Sequence, residues 1–296
     1  MEDDRRLVAG LGELLWDMLP EGRKLGGAPA NFAYHAGQFL GPDNVVAISA
    51  LGQDRLADET VEALDAHSLR YILPRVPYPT GTVQVTLDAA GIPSYEIKEG
   101  VAWDNIPPLP EIMQVAANCR AVCFGSLAQR NRVSRDTVRM FLEATPEDCV
   151  RIFDINLRQH FYSKEVIEES FRQCNILKIN DEELVVVSRM SGLEDKGLED
   201  RCRALMDSYG IGILVLTCGT DGSYVFTPGE VSFLETPKVK VADTVGAGDS
   251  FTGAFCAALL EGRSIKDAHR RAVDVSAYVC TCAGAMPPIP EEYQKG

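Results

Sequence analysis

No apolar run in this chain approaches the roughly 18–20 residues that a membrane-crossing helix needs. Basic residues are also scarce: 29 Lys and Arg stand against 43 Asp and Glu, a formal net charge of −14. A duplex binder gains affinity by neutralising phosphates, so this balance speaks against a nucleic-acid partner. An anionic ligand would have to be met locally, by a helix N-terminus, a few basic side chains or a metal ion. Zinc-type spacing is missing too. No CxxC occurs, the four histidines are far apart, and the nine cysteines read as small buried hydrophobes of an intracellular chain. The start, "MEDDRRLVAGLGELL", is acidic and lacks a signal-peptide pattern, so a cytoplasmic protein with no membrane partner is expected.

What is present is an ordinary globular composition, 46% hydrophobic and 24% charged, with enough length for a full core. Short apolar strands alternate with helical stretches along most of the chain. "RLVAGLGELLWDML" reads as one strand running into an acidic loop, "APANFAYHAGQFLG" as a helix and "NVVAISALG" as a strand. From about residue 119 the series runs "AVCFGSL", "RDTVRMFLEAT", "VRIFDINLR", "SKEVIEESFRQC" and "ILKIN", strand and helix in turn. The helices "DEELVVVSRM" and "EDRCRALMDSYG" follow, then the strands "GILVLTCG" and "GSYVFT". Near-continuous apolar strands separated by helices imply a mostly parallel sheet covered on both faces. One segment interrupts the pattern. In 80–103, Val83, Val85 and Leu87 alternate with Thr82, Gln84 and Thr86, the period of a half-buried strand, and "AAGIPS" supplies a turn into a return strand.

The chemistry concentrates in "DTVGAGDSFTGAF", residues 243–255. Phe251, Ala254, Phe255, Ala258 and Leu259 recur at helical spacing, which places a helix start near Ala247. Unpaired amides and the positive end of the helix dipole make such a start an anion site, and Gly246 and Gly248 let the backbone come close to an oxygen. Asp249 stands out, because a carboxylate beside a bound phosphate is repulsive unless it has work there. Accepting a proton from a hydroxyl that attacks the phosphate is such work. The segment is neither a P-loop nor G-x-G-x-x-G.

"DTVGAGDSFTGAF" resembles the C-terminal signature of the ribokinase-like (PfkB) sugar kinases, and "GGAPANFAYHAGQFLG" (26–41) resembles their N-terminal glycine-rich signature. The likeness continues in the family's order through "TGTVQVTLDAAGIPSYEI", "WDNIP", "FGSLAQR", "DINLR", "KINDEE", "TCGTDGSYVF" and "GAMPPIP". Within the family the combination looks most like the bacterial fructokinases. The resemblance implies a three-layer α/β sandwich in a single domain, with a β-sheet lid formed from about 12–27 and 80–102.

It implies transfer of the ATP γ-phosphoryl group to a sugar hydroxymethyl oxygen, with Asp249 as base and Gly246, Ala247 and Gly248 as the anion hole. Asp17, Gly27, Asn31 and Arg158 would bind substrate, and Asn180, Thr217, Gly219 and Gly222 would lie at the nucleotide. Glu183 would handle Mg²⁺, through water, and Asp243 would lie at a monovalent-cation site for K⁺. Trp16 and Trp103 are candidates for stacking on the sugar. Pairing of lid strands between subunits would give a homodimer. Fructose is the first substrate implied. Ribokinase, 2-keto-3-deoxygluconate kinase and nucleoside kinase activities, and a silent sugar-binding protein on the same fold, are the alternatives.

Overall fold

Runs such as "LVAGL" and "VVAI" are apolar at every position, and a strand of that kind persists only where both of its faces are covered. The computed structural model describes residues 6–19, 22–87 and 93–294, and it covers them from both sides. Along the chain come β1 (Leu7–Leu11), β2 (Leu15–Leu19), β3 (Gly22–Gly26), α1 (Ala28–Leu40), β4 (Val45–Ile48), α2 (Arg55–Ala66) and β5 (Tyr71–Ile72). Then follow β6 (Gly81–Leu87), β7 (Pro93–Ile97), α3 (Pro110–Ala117), β8 (Cys119–Phe124), α4 (Arg132–Ala144), β9 (Val150–Asp154), α5 (Lys164–Gln173) and β10 (Ile176–Asn180). The last part holds α6 (Asp181–Ser191), α7 (Leu198–Tyr209), β11 (Ile213–Thr217), β12 (Ser223–Phe226), β13 (Val231–Leu234), α8 (Ala247–Leu260), α9 (Ile265–Val279) and the short α10 (Glu291–Gln294).

Nine strands form one sheet in the order β13-β12-β11-β10-β9-β8-β1-β4-β5. Pairing is parallel from β11 to β5 and antiparallel only at the β11–β12–β13 edge. Strand residues alternate between two cores. Leu7, Ala9 and Leu11 face the side packed by Phe141, Phe171 and Leu205 of α4, α5 and α7. Val8 faces the side packed by Phe32, Phe251, Phe255 and Ala272 of α1, α8 and α9. This is the expected α/β sandwich with helices on both faces.

Four strands form a second sheet, β3-β2-β6-β7, in which β2 pairs parallel with β6. The "RLVAGLGELLWDML" stretch is therefore not one strand. It divides at Gly12–Leu14, with β1 in the large sheet and β2 in the small one, so the chain passes between the two sheets at Glu13. The helices α3 and α9 and the strand β13 had no counterpart in the sequence reading. The turn expected in "AAGIPS" lies largely outside the described residues.

Arg130 ties the small sheet to the body. Its guanidinium lies 4.0 Å from the Trp103 ring centroid and 4.4 Å from that of Phe161. It donates to both carboxylate oxygens of Asp104 (2.7 and 2.9 Å) and to the Lys98 carbonyl, just beyond β7. Both side chains of the pair are nearly sealed from water. Removing one partner of a buried pair strands the other charge, so Arg130→Ala should lower unfolding stability by about 3–5 kcal/mol in urea denaturation.

Candidate active site

Parallel sheets present their loops and helix N-termini at the carboxyl ends of the strands, and a cleft of about 660 Å³ opens there, between the two sheets. Asp154 and Thr217 reach it from the ends of β9 and β11, Glu13 from just past β1, and Lys178 from the middle of β10. Asp17, Val83 and Ile97 reach it from the small sheet, and Gly246, Gly248 and Asp249 from the start of α8.

The α8 start is built by Gly246, which sits at φ +80° as the residue before the helix, with no side-chain cap. A Cβ there would lie 2.7 Å from the Ala285 carbonyl oxygen, so only glycine lets the turn close against that loop. Gly246 and Gly248 face the cleft, whereas Ala247 does not line it. The Ala247 N–H turns back to the Thr244 carbonyl at 3.3 Å, and its carbonyl accepts from Ser250 and Ser276. Of the three residues expected in the cradle, the two glycines line the cleft.

Asp249 lies in the first turn of α8, and its Oδ2 accepts a hydrogen bond of 2.8 Å from Asn31 Nδ2. Burial pushes its carboxyl up to about 6, and the nearby Asp154 adds to this. Asn31, Lys178 and Arg158 pull the other way. Asn31 Oδ1 is buried with no partner in the protein, an acceptor left over for something else. Glu13 is a second desolvated acid, 3% exposed, with Oε2 unpartnered. Burial pushes its carboxyl up to about 7, and the Asp249 charge contributes. Nothing in "GELL" singles Glu13 out, because the signal is its position at the crossing between sheets.

Lys178 is a further charged group in the cleft. Its ammonium donates to Asp154 Oδ1 at 3.0 Å, and Asp154 Oδ2 lies 2.9 Å from the Thr252 hydroxyl. A lysine inside the apolar strand "ILKIN" is the clue that sequence offered.

Other expected residues fall into three groups. Asp17, Gly27 and Asn31 line the cleft together, and burial raises the Asp17 carboxyl although Lys24 opposes the shift. Arg158 lines it from the loop after β9 and is exposed, with Nη1 donating to the carbonyl of its neighbour Leu157. Asn180, Thr217 and Glu183 also line it. Glu183 has a structural task first: Oε2 accepts from the Asn180 N–H (3.0 Å) and Oε1 from the Leu157 N–H (2.9 Å). Asn180 Oδ1 in turn accepts from the Glu183 N–H, closing a capping box at α6.

Gly219 and Gly222 do not line the cleft. Gly222 has φ +120°, and a Cβ there would lie 2.5 Å from the Leu234 carbonyl oxygen, so its glycine is required by the packing of β13. Asp243 is off the cleft as well. Its Oδ2 accepts from Lys24 Nζ at 3.2 Å and its Oδ1 from the Val245 N–H, so a cation of the chain itself already meets it. Neither tryptophan faces the cleft. Trp16 donates to Thr60, and Trp103 is fully buried under Arg130.

No group of three or more His, Cys, Asp or Glu side chains suited to hold a metal ion occurs among the described residues. Nor is any described helix long and apolar enough to cross a membrane.

A model of the pfkB family carbohydrate kinases matches residues 21–292. The ATP-dependent 6-phosphofructokinase of Thermoanaerobacterium thermosaccharolyticum is 26% identical over 309 residues, covering 98% of this chain and 92% of the relative. A fructokinase of Rhizobium leguminosarum bv. trifolii is 27% identical over 272 residues, covering 86% and 79%. Among solved structures, a fructokinase with bound ATP from Xylella fastidiosa matches with a TM-score of 0.86, over 98% of this chain and 97% of that one. At 18% identity that likeness speaks for the fold, which is ribokinase-like as the motifs implied.

Glu13 generates a stability prediction. Its folded value, about 7, lies above the ordinary 4.5. Its contribution to stability is therefore fully present below 4.5 and lost as pH rises through about 7. Glu13→Gln removes that loss. Its unfolding free energy relative to wild type should rise by roughly 1–3 kcal/mol between about pH 4 and pH 8. A difference that stays flat with pH would show that Glu13 ionises normally.

Proposed function

The chain belongs to the pfkB family of carbohydrate kinases, and from that premise we propose that it phosphorylates a hydroxymethyl group of an uncharged sugar, fructose first. The observation that carries this reading is Asp249, a desolvated carboxylate at the mouth of a glycine-built helix start. The sugar oxygen attacks the γ-phosphorus of ATP, its proton passes to Asp249, and the bond to ADP breaks with its electron pair staying on ADP. With its carboxyl near 6, Asp249 is mostly ionised at neutral pH and still basic enough to take that proton. The Gly246 and Gly248 backbone and the α8 dipole face the transferred charge.

Mg²⁺ fits as an ion that arrives on the nucleotide. Both Glu183 oxygens already accept backbone N–H groups, so this carboxylate is suited to act on a magnesium-bound water. The ion would neutralise phosphate charge and hold the phosphoryl group in register. A monovalent cation at Asp243 would have to displace Lys24.

The cleft's chemistry favours an unphosphorylated acceptor. Asp17 and Asn31 offer hydrogen-bonding groups for hydroxyls, between the apolar side chains of Leu15, Val83, Ile97 and Leu127. Its basic side chains are Lys178 and Arg158, and Lys178 stands beside Gly248 at the phosphoryl end. Among the described lining residues that leaves Arg158 as the one cation away from Gly248, against the carboxylates of Glu13, Asp17, Asp154, Glu183 and Asp249, which favours an uncharged acceptor over a sugar phosphate. The small sheet would act as a lid that keeps water from competing as acceptor.

A panel of fructose, ribose, 2-keto-3-deoxygluconate, adenosine and fructose 6-phosphate with ATP·Mg²⁺ tests the reading. Fructose should show the highest kcat/KM, at least about tenfold above fructose 6-phosphate. Asp249→Asn should lower kcat by about 10²–10⁴-fold with the fold intact. Absence of transfer to every sugar would mean a silent sugar-binding protein.

A further inference from the structure

Lys178 is flanked on β10 by Leu177 and Ile179, both fully buried, and a lysine in such a strand is costly unless its charge is used. Its side chain is 12% exposed, and among the described residues its ammonium makes one hydrogen bond, to Asp154. An ammonium carries three protons, so two remain for the cleft that Lys178 lines. Their location is defined: a Cβ built on Gly248 would lie 3.1 Å from Nζ, which puts the ammonium against the first turn of α8.

Asp154 cannot easily release it. Asp154 is 6% exposed, and its second oxygen is met by Thr252, whose hydroxyl also lies 3.0 Å from the Gly248 carbonyl. Lysine, aspartate and helix start are therefore linked through one residue of α8.

Charge counting gives this ammonium a task. Glu13, Asp17, Asp154, Glu183 and Asp249 all line the cleft, against Lys178 and Arg158. Arg158 is the exposed cation on a loop, and Lys178 is the inner one on a core strand. A polyanionic nucleotide entering this cleft meets the inner of its two lining cations beside Gly248.

We propose that Lys178 is a catalytic residue that donates to a non-bridging oxygen of the phosphoryl group in transfer, with Asp154 and Thr252 as positioning residues. This rests on the kinase reading above. Lys178 exchanges no proton in the step: the sugar oxygen bonds to phosphorus, the bond to ADP breaks, and the hydroxyl proton goes to Asp249. The ammonium stabilises charge that is spread over the phosphoryl oxygens as they pass it, the kind of group that acts most strongly in a desolvated site.

The test uses the full chain as wild type, Lys178→Met and Thr252→Val, with the sugar of the panel that wild type turns over fastest. The readouts are kcat, the affinity for ADP·Mg²⁺, and the affinity for ADP·Mg²⁺ with aluminium fluoride and sugar, a mimic of the phosphoryl in flight. Lys178→Met should lower kcat about 10²–10³-fold and weaken mimic binding by a similar factor, while ADP·Mg²⁺ affinity stays within about threefold. Thr252→Val should lower kcat about 3–10-fold through loss of alignment, again without weakening ADP·Mg²⁺.

A folded Lys178→Met enzyme with kcat within about threefold of wild type, or with ADP and mimic weakened equally, overturns the assignment. If thermal melting shows that Lys178→Met does not fold, Thr252→Val decides on the same readouts, and unchanged kcat and mimic affinity overturn it. A wild type that phosphorylates no sugar overturns the kinase reading itself.

Discussion

Helix α8 is buried from Ser250 to Ala258, packed against α1 and α9, so the core sets where its partly exposed first turn points. That anchoring is the constraint on which the site depends. A helix start binds anions only where its amides point, and a general base acts only within hydrogen-bond reach of its proton. Because Asp249 lies in the same turn as Gly248, one rigid element sets both the anion site and the base. Asn31 on α1 then holds the carboxylate from across the helix interface, at 2.8 Å. The same desolvation that raises Asp249 also raises Glu13, so the cleft holds its negative charge reluctantly until cations and a nucleotide are in place.

The small sheet depends on the body in a complementary way. Lys24 of β3 reaches Asp243, on the loop that leads into α8. Gln159, held at φ +48° in the loop after β9, donates to the Tyr95 carbonyl of β7. Arg130 holds the carbonyl just past that strand. Three ties from three loops keep Asp17 and the apolar walls opposite the α8 start. Backbone at positive φ in a non-glycine residue is uncommon, and here Asn156 and Gln159 both adopt it in the loop that carries Arg158.

Much of this was legible in the sequence, for reasons tied to particular residues. The apolar strands of the large sheet announced themselves because burial on both faces leaves no room for alternation. The glycines around Asp249 announced a helix start because nothing else explains small residues before an apolar helical stripe. What escaped was long-range. The break between β1 and β2 falls inside a run with no Pro, just past Gly10 and Gly12, and it is fixed by which sheet each half joins. Asn31 reads as a substrate group alone, yet it touches Asp249 across 218 positions of chain. Glu13 and Lys178 look like isolated charges in apolar surroundings, and only the fold turns both into one cleft. Gly222 hides a packing role in the same way, since the close approach of β13 that demands a glycine there is not visible in the sequence.

Burial holds the Asp249 carboxyl up at about 6 in the free enzyme, above the ordinary aspartate range yet mostly ionised at neutral pH. A carbon-13 NMR titration of the wild-type aspartate carboxyls, with Asp249→Asn to assign the signal, measures this directly. One resonance should titrate near pH 6 and vanish in the variant. If every aspartate signal that Asp249→Asn removes titrates near the ordinary value, about 4, the carboxylate is solvated and the desolvated base described here is contradicted.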